Sequence, residues 1–398
     1  MNNIKHLNKN IDHFDVLLKS FTFSYILRKF KALNVNKLLI KCLQKIINVI
    51  HRIYYKYYQL YLFIYMSPIR EIIVNKRTDT KAIWIMRQAG RYLPEFREIR
   101  KNNTDFIKLC LNQNLSAEIT LQPLKRFELD AAIIFSDILM VPFGLNQKVE
   151  FKKNFGPLLG ELKLNEISKL REDDFVKNIH QVYEAIKLVS NNKLVKNKDT
   201  IGFVGAPWTL LVYMINKRSP KIKLVDNFFD DEFLIKEIFN ILDKFLKIHI
   251  KHQVNNGAQI IQIFDSWAGL LNEKDISKYV YNPTLSLVEF TKSLNVPVIC
   301  FPKGIKDYKK YCEIVKPDAI CIDYEVDPVQ INKDINIPIQ GGMDPKVLLT
   351  DKENLKKEAK KYLDIFKDRP YIFNLGHGVL PDTDPNMMDY LVKMVKDY

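Results

Sequence analysis

What this chain lacks narrows its chemistry. Its five cysteines, Cys42, Cys110, Cys300, Cys312 and Cys321, include no Cys-x-x-Cys and no Cys/His pair at ligand spacing. That argues against a disulfide framework and against a structural zinc. Cys300 and Cys321 fall in apolar, strand-like runs and read as core. There is no P-loop, no GxSxG elbow and no GxGxxG after a first strand, so triphosphate, serine-hydrolase and dinucleotide chemistry lack their usual footholds. No lysine follows a strand in a Schiff-base context. His249 and His252 have helical spacing for a metal, but no nearby acid or cysteine completes a site; they read as a solvated helix face, and no metal is expected. The apolar stretch 53–66 is interrupted by Lys56 and Gln59 and falls short of the ~20 residues a membrane span needs, so no stable membrane insertion is expected.

Acidic residues are scarce in one place only. Residues 1–66 hold eleven Lys/Arg against two Asp/Glu and contain neither Gly nor Pro, whereas the other 332 residues carry 50 against 44. The formal charge of +15 is therefore lopsided, and the body is only mildly basic. No nucleic-acid motif with interleaved aromatics occurs in it, so no nucleic-acid partner is expected. Within the extension, 20–27 (SFTFSYIL) has the make-up of a weak signal core, followed by Arg28, Lys29 and Lys31. This suggests organelle targeting, in the manner of a two-part leader to a plastid (an apicoplast-like organelle), although transit peptides are usually richer in Arg and Ser. The alternative is a cytoplasmic protein with an extension that carries no address, and Met66 is a candidate internal start.

What is present is an ordinary globular composition, 47% hydrophobic and 27% charged over 398 residues, enough for one large domain or two small ones. From residue 81 on, short β-branched or apolar runs alternate with helical patterns. The predicted strands are 83–86, 131–135, 201–205, 259–264, 296–301, 319–322, 337–340 and 371–375. Between them lie amphipathic stretches such as 116–127, 227–255 and 275–294, with apolar residues recurring at three and four. Eight such strands predict an α/β fold, a single (β/α)8 TIM barrel over 67–398 preceded by the 1–66 extension. The weakest link is 323–336, barely long enough for one short helix. A doubly wound open sheet is the rival. The Lys/Asn-rich segment 190–200 reads as a surface loop.

In a barrel, residues just past the strand ends share one face. The first strand runs into MRQAGRYLPEFREIR, delivering Arg87 and Arg91 into a loop, with Arg97 and Arg100 following. Several planar guanidiniums together suit a ligand with several carboxylates or phosphates. Ala89, Gly90, Leu93, Pro94 and Phe96 are not the make-up of a solvated face. The second strand ends in Ser136-Asp137, the fourth in Asp265-Ser266, and the eighth in Gly376-His377-Gly378, where flanking glycines would let backbone approach a ligand. Tyr213 follows the third strand through GAPWTLLVY. Duller roles stay open: Asp137 or Ser266 as helix caps, Tyr213 as a packed aromatic. The set points to acid/base and electrostatic chemistry on an anionic substrate.

Six stretches in chain order, MRQAGRYLPEF, IIFSDI, GAPWTL, FDSWAG, QGGMDP and NLGHGVLPDTDP, resemble the motifs of the uroporphyrinogen decarboxylase family of haem biosynthesis. The likeness runs from about residue 67 to the C-terminus. It implies cofactor-independent removal of CO2 from the four acetate side chains of uroporphyrinogen III, giving coproporphyrinogen III, by a homodimer. It further implies that Asp137 sits under the macrocycle and accepts pyrrole N–H groups, and that Arg87 and Arg91 grip carboxylates, helped by Arg100 and by backbone N–H near Ala89. Tyr213 and Ser266 would hydrogen-bond the substrate. The proton would come from one of the arginines or from a relay through Tyr213 and His377; His377 titrates in the right range or only orients a carboxylate. Two departures are Gly342, where many relatives have Asn, and Asp265, where some have Glu. Zinc-dependent methyltransferases acting on corrinoids or thiols resemble the family distantly, and a tetrapyrrole carrier or a basic RNA-binding protein are the non-enzymatic alternatives.

Overall fold

A computed structural model describes residues 66–152, 155–220 and 223–398. The basic extension therefore lies, apart from Met66, outside the described residues. Among these, no helix is long and apolar enough to cross a membrane.

Eight strands run parallel in one sheet: β1 (Ala82–Ile83), β2 (Ala131–Ile133), β5 (Asp199–Gly205), β6 (Ile260–Asp265), β7 (Val298–Pro302), β8 (Ala319–Ile322), β9 (Ile339–Gly341) and β10 (Tyr371–Phe373). Their order is β1-β10-β9-β8-β7-β6-β5-β2. The seam between β1 and β2 is closed by Asp130, whose N–H donates to Ile83 O (2.8 Å) and whose Oδ2 accepts from Ile83 N–H (2.7 Å). The result is the expected (β/α)8 barrel. Every expected strand is present, several ending one to three residues early. Thus 84–86 lie past β1, where the chain bonds to the last residue of β10 and to the one after it: Trp84 N–H to Phe373 O (3.4 Å) and Met86 N–H to Asn374 Oδ1 (2.9 Å).

Alternation along the strands sorts side chains into two layers. Ile260 and Phe264 of β6 point into the barrel, with Ile201, Ile299, Phe301, Cys321 and Ile372 from neighbouring strands. Ile261 and Ile263 point outward into the larger core beneath the helices, as does Cys300. Both cysteines are buried, as their apolar surroundings imply. Trp84 crosses the barrel interior to donate to Gln340 Oε1 (2.9 Å), and Gln340 Nε2 donates to Gln262 Oε1 (3.2 Å).

Helix Pro68–Val74 closes the N-terminal end, packing Ile69, Ile72 and Ile73 against the barrel interior. Proline at its first turn loses no needed hydrogen bond. Ser67 Oγ donates to Asp199 at the start of β5, and Arg70 Nε bonds the same carboxylate at 2.6 Å. At this end too, Lys396 of the last helix pairs with Asp130 (2.6 Å).

The helical expectations needed adjustment. Pro283, lacking an N–H, sits at a change of register, so 275–294 becomes a short helix (Glu273–Ile276), a wide turn (Ser277–Tyr281) and a second helix (Asn282–Ser293). The helix expected from 227 starts at Glu232, where Asp231 caps Leu234 N–H (2.8 Å). The link 323–336 does hold one short helix, Pro328–Asp334. His249 is not solvated: it is buried, with Nδ1 3.0 Å from the Tyr183 hydroxyl. An antiparallel hairpin of β3 (Val149–Lys152) and β4 (Gly156–Leu159) was not foreseen, because its charged residues and Gly-Pro start mask a strand pattern.

Candidate active site

The sharpest feature of the mouth is a non-glycine residue in the left-handed region: Arg87, at φ 61. Such a conformation costs on the order of 1 kcal/mol and persists only where surrounding bonds enforce it. Here they do. Buried Gln88 accepts Ile85 N–H through Oε1 (3.1 Å) and donates through Nε2 to Ala131 O (2.9 Å). Tyr92 OH donates to Gln88 O (2.9 Å). Val379 N–H donates to Met86 O (3.0 Å). The loop is thus tied to β2 on one side and to the segment after β10 on the other.

Arg87 then extends across Gly378. A methyl at 378 would stand 2.7 Å from Arg87 Cγ and 2.8 Å from Nε, so the glycine makes room for the guanidinium rather than for a ligand. Gly376 serves packing likewise: a methyl there would lie 2.8 Å from the carbonyl carbon of Asp323. Arg87 is open to water from above yet walled in by protein, and that partial burial lowers its guanidinium from the usual value; Asp137 and Tyr213 pull it back, while Arg91 pushes it further down.

Asp137 follows β2 and uses one oxygen to fix its own turn, Oδ1 accepting Leu139 N–H (2.9 Å). Among the described residues its other oxygen has no hydrogen-bond partner. The role is an Asx turn rather than a full helix cap, and it leaves half the carboxylate for a ligand. Burial raises Asp137 to about 6, opposed by the Leu139 N–H and by Arg87. Tyr213 projects from helix Pro207–Asn216 and meets the Trp267 ring edge-on, centroids 5.9 Å apart. Burial and then the Asp137 charge push its phenol up to about 12. His377 is pushed down to about 4 by burial and by the cations Arg87 and Lys303, so it is neutral at physiological pH. Burial, before either charge, moves it below the range in which the sequence reading set it.

Arg87, Arg91, Asp137, Tyr213 and His377 therefore share one field at the C-terminal face of the barrel. Ser266 stands half-buried just past β6, and among the described residues no backbone or side-chain acceptor takes the N–H of Ala89. Arg97 bonds the carbonyls of Arg91 (2.9 Å) and Tyr92 (3.0 Å), so it shapes the loop. Arg100 bonds Asn103 O through one nitrogen, lies 5.7 Å from the Phe106 ring centre and feels the charge of Arg91.

Asp265, singled out at its strand end, is buried there and accepts Thr209 Oγ1 (2.6 Å), while Thr209 Oγ1 accepts Trp267 N–H (3.1 Å); this welds FDSW to GAPWT and sets the base of the Tyr213 helix. Two residues went unnoticed in the sequence: Asn374, which orients the Arg87 loop, and Lys303, which follows β7. The signal for Lys303 was its position at a strand end. Among the described residues no three His, Cys, Asp or Glu side chains cluster as a metal site would.

The profile of the family described as uroporphyrinogen decarboxylase (URO-D) matches residues 66–398. The chain belongs to this family. Uroporphyrinogen decarboxylase of Rickettsia bellii is 41% identical over 331 residues, covering 81% of this chain and 97% of the relative. The Rickettsia felis protein of the same name is 39% identical over 336 residues, covering 82% and 96%. Among solved structures, a methyltransferase from Methanosarcina mazei superposes with a TM-score of 0.67 at 15% identity, covering 83% of this chain and 97% of its own. That likeness speaks to the barrel alone. Family membership agrees with the fold, and three of the stretches whose sequence resembles that family, the arginine loop, the Ser-Asp strand end and the Gly-His-Gly strand end, lie at one end of this barrel.

Proposed function

We propose that this chain decarboxylates uroporphyrinogen, converting the acetate side chains to methyls and yielding coproporphyrinogen in porphyrin biosynthesis. The observation that carries the reading is a carboxylate, Asp137, with one oxygen free among the described residues, raised by burial and flanked by Arg87, inside a family-matched barrel mouth. A half-free carboxylate can accept the N–H groups at the centre of a tetrapyrrole, and it stabilises positive charge that develops on the ring.

The chemistry balances without an external electron carrier. A proton added to a pyrrole carbon makes the ring cationic. The acetate then loses CO2, and the pair from the broken C–C bond neutralises the ring, leaving an exocyclic methylene. Protonation of the methylene gives the methyl, and loss of the ring proton restores the pyrrole. Each cycle consumes one proton and releases one CO2.

Arg87 is our assignment for the proton donor. What supports it is contrast: burial loosens the Arg87 proton, whereas Tyr213 is held tightly protonated and His377 has no second proton to give at neutral pH. Arg91 and Arg87 hold carboxylates, Tyr213 and Ser266 donate hydrogen bonds, and neutral His377 hydrogen-bonds an acid group of the substrate. The test is anaerobic incubation of the full chain with uroporphyrinogen, products separated by carboxylate number. Stepwise loss of four carboxylates in the wild type and none in Asp137→Ala is expected; binding with no loss of carboxylate would make the protein a carrier.

The family resemblance also suggests a homodimer, to be tested by light scattering on the purified chain, where a monomer mass would end the idea. The basic extension 1–66 is assigned to plastid targeting. Fused to a fluorescent reporter, it should direct the signal to the organelle, and a diffuse cytoplasmic signal would remove the assignment.

A further inference from the structure

We infer that Lys303 is a second anionic anchor, gripping a substrate carboxylate on the edge of the macrocycle opposite the one held by Arg87 and Arg91. The inference rests on the tetrapyrrole reading above and deepens it. Lys303 is the first residue past β7, at the end of the barrel that bears Arg87, Asp137 and His377. In the strand order β1-β10-β9-β8-β7-β6-β5-β2, with β2 closing onto β1, β7 stands four strands from β1 in either direction. The two cationic positions therefore face each other across the mouth. A flat, roughly symmetric ring fringed with carboxylates is the kind of ligand that uses both sides at once.

The mounting is rigid. Lys303 N–H donates to Asp265 O (3.1 Å), and Lys303 O accepts Gly269 N–H (3.0 Å). The next residue, Gly304, has φ 76 and donates its N–H to Asp323 Oδ2 (2.8 Å). Gly269 and Gly304 are in such close contact that a methyl on Gly269 would lie 2.7 Å from the Gly304 carbonyl carbon. The backbone beneath the lysine is thus held by β6, by β8 and by the loop after β6.

The side chain, by contrast, has no partner. Lys303 is half-buried, yet among the described residues no carboxylate lies within ion-pair distance of its ammonium. The nearest acid along the rim, Asp323, spends its carboxylate on Gly304 N–H, on Tyr308 OH (3.1 Å) and on Glu325 N–H (2.9 Å). Partial burial of an ammonium without a counter-ion is unfavourable, and an arriving carboxylate relieves it.

The experiment compares wild type, Lys303→Met, Lys303→Gln and Lys303→Arg as full chains, with anaerobic uroporphyrinogen, at low and high salt. Both neutral variants should raise KM about tenfold with kcat within about twofold, because a contact made equally in ground and transition states shows in KM. Lys303→Arg should recover most of the loss. The salt dependence of kcat/KM should flatten in the neutral variants, as one screened attraction has gone. Thermal melts confirm folding, and the two neutral variants guard against one failing to fold. KM within twofold of wild type in a folded neutral variant, or Lys303→Arg no better than Lys303→Met, overturns the inference. An inactive wild type would instead sink the decarboxylase reading itself, so the two failures are distinguishable.

Discussion

The two ends of the barrel handle charge in opposite ways. At the N-terminal end two buried carboxylates are matched: Asp199 takes Ser67 and Arg70, and Asp130 takes the Ile83 N–H and Lys396. At the C-terminal end charge is left over. Among the described residues Asp137 keeps an oxygen free and Arg87, held in a strained conformation, has no paired carboxylate, while His377 is pressed into neutrality by burial and by two cations. The difference teaches which end holds the fold and which is built for a ligand, because unpaired charge in a poorly solvated place is unfavourable until a partner of the opposite sign arrives. Substitutions should therefore separate activity from stability according to the end they touch.

The largest effect is expected at the mouth. Asp137→Ala should lower kcat/KM by about a thousandfold or more, on the order of 4 kcal/mol of transition-state stabilisation. Its stability should move the other way. The folded-state value of about 6 lies above the ordinary 3.8, so ionised Asp137 disfavours the folded state at neutral pH, and its removal should leave the melting temperature unchanged or raise it. A variant that loses activity and melts lower in parallel would mean Asp137 is part of the frame.

The matching substitution at the other end is Asp199→Ala. It strands Arg70 and Ser67 and should cost about 3 kcal/mol of stability, measured by urea unfolding. Turnover per folded molecule should stay near wild type. If activity falls further than the folded fraction does, the two ends are coupled and the comparison breaks.

Between these extremes stands Gly378→Ala, which adds one methyl against Arg87 Cγ and Nε. The guanidinium must shift while the backbone need not. A loss of about ten- to a hundredfold in kcat/KM, roughly 1.4 to 2.8 kcal/mol, is expected with a nearly unchanged melting temperature. Unaltered kinetics would show that Arg87 has freedom to relocate.

How much of this was legible in the sequence depends on the physical source of each feature. The barrel was, because short apolar, β-branched runs such as 259–264 and three-four helices such as 116–127 are local patterns. Asp137, Arg87, Tyr213 and His377 were, because they stand where strands end and within recognisable motifs. The backbone bonds of Arg97 and Arg100 were not: sequence spacing says that cations are near each other, not that carbonyls of Arg91, Tyr92 and Asn103 will accept from two of them. Lys303 and Asp323 escaped notice because the predicted strands 296–301 and 319–322 are ordinary apolar runs, and no recognisable polar motif marks their ends. His249 was misjudged because its partner, Tyr183, is 66 residues away, and helix periodicity does not report what packs on the helix. The neutrality of His377 comes first from its burial and then from Arg87 and Lys303 arriving from two other strands, which only the closed barrel brings about.

The smallest effect sharpens that last point. With Asp137 raised to about 6 and required in its ionised form, kcat/KM should rise with pH through about 6 and level off above it. A histidine at its ordinary value would give a limb in a similar place, but His377 is held at about 4 and has already lost its proton there. His377→Gln should therefore lower the rate while leaving the limb where it was. Asp265, which burial raises to about 7, lies behind Thr209 rather than in the mouth, so Asp265→Asn should also leave the limb in place. Loss of the limb in His377→Gln would show that the imidazole titrates near neutrality after all, and that the two cations beside it do not act on it as the barrel geometry requires.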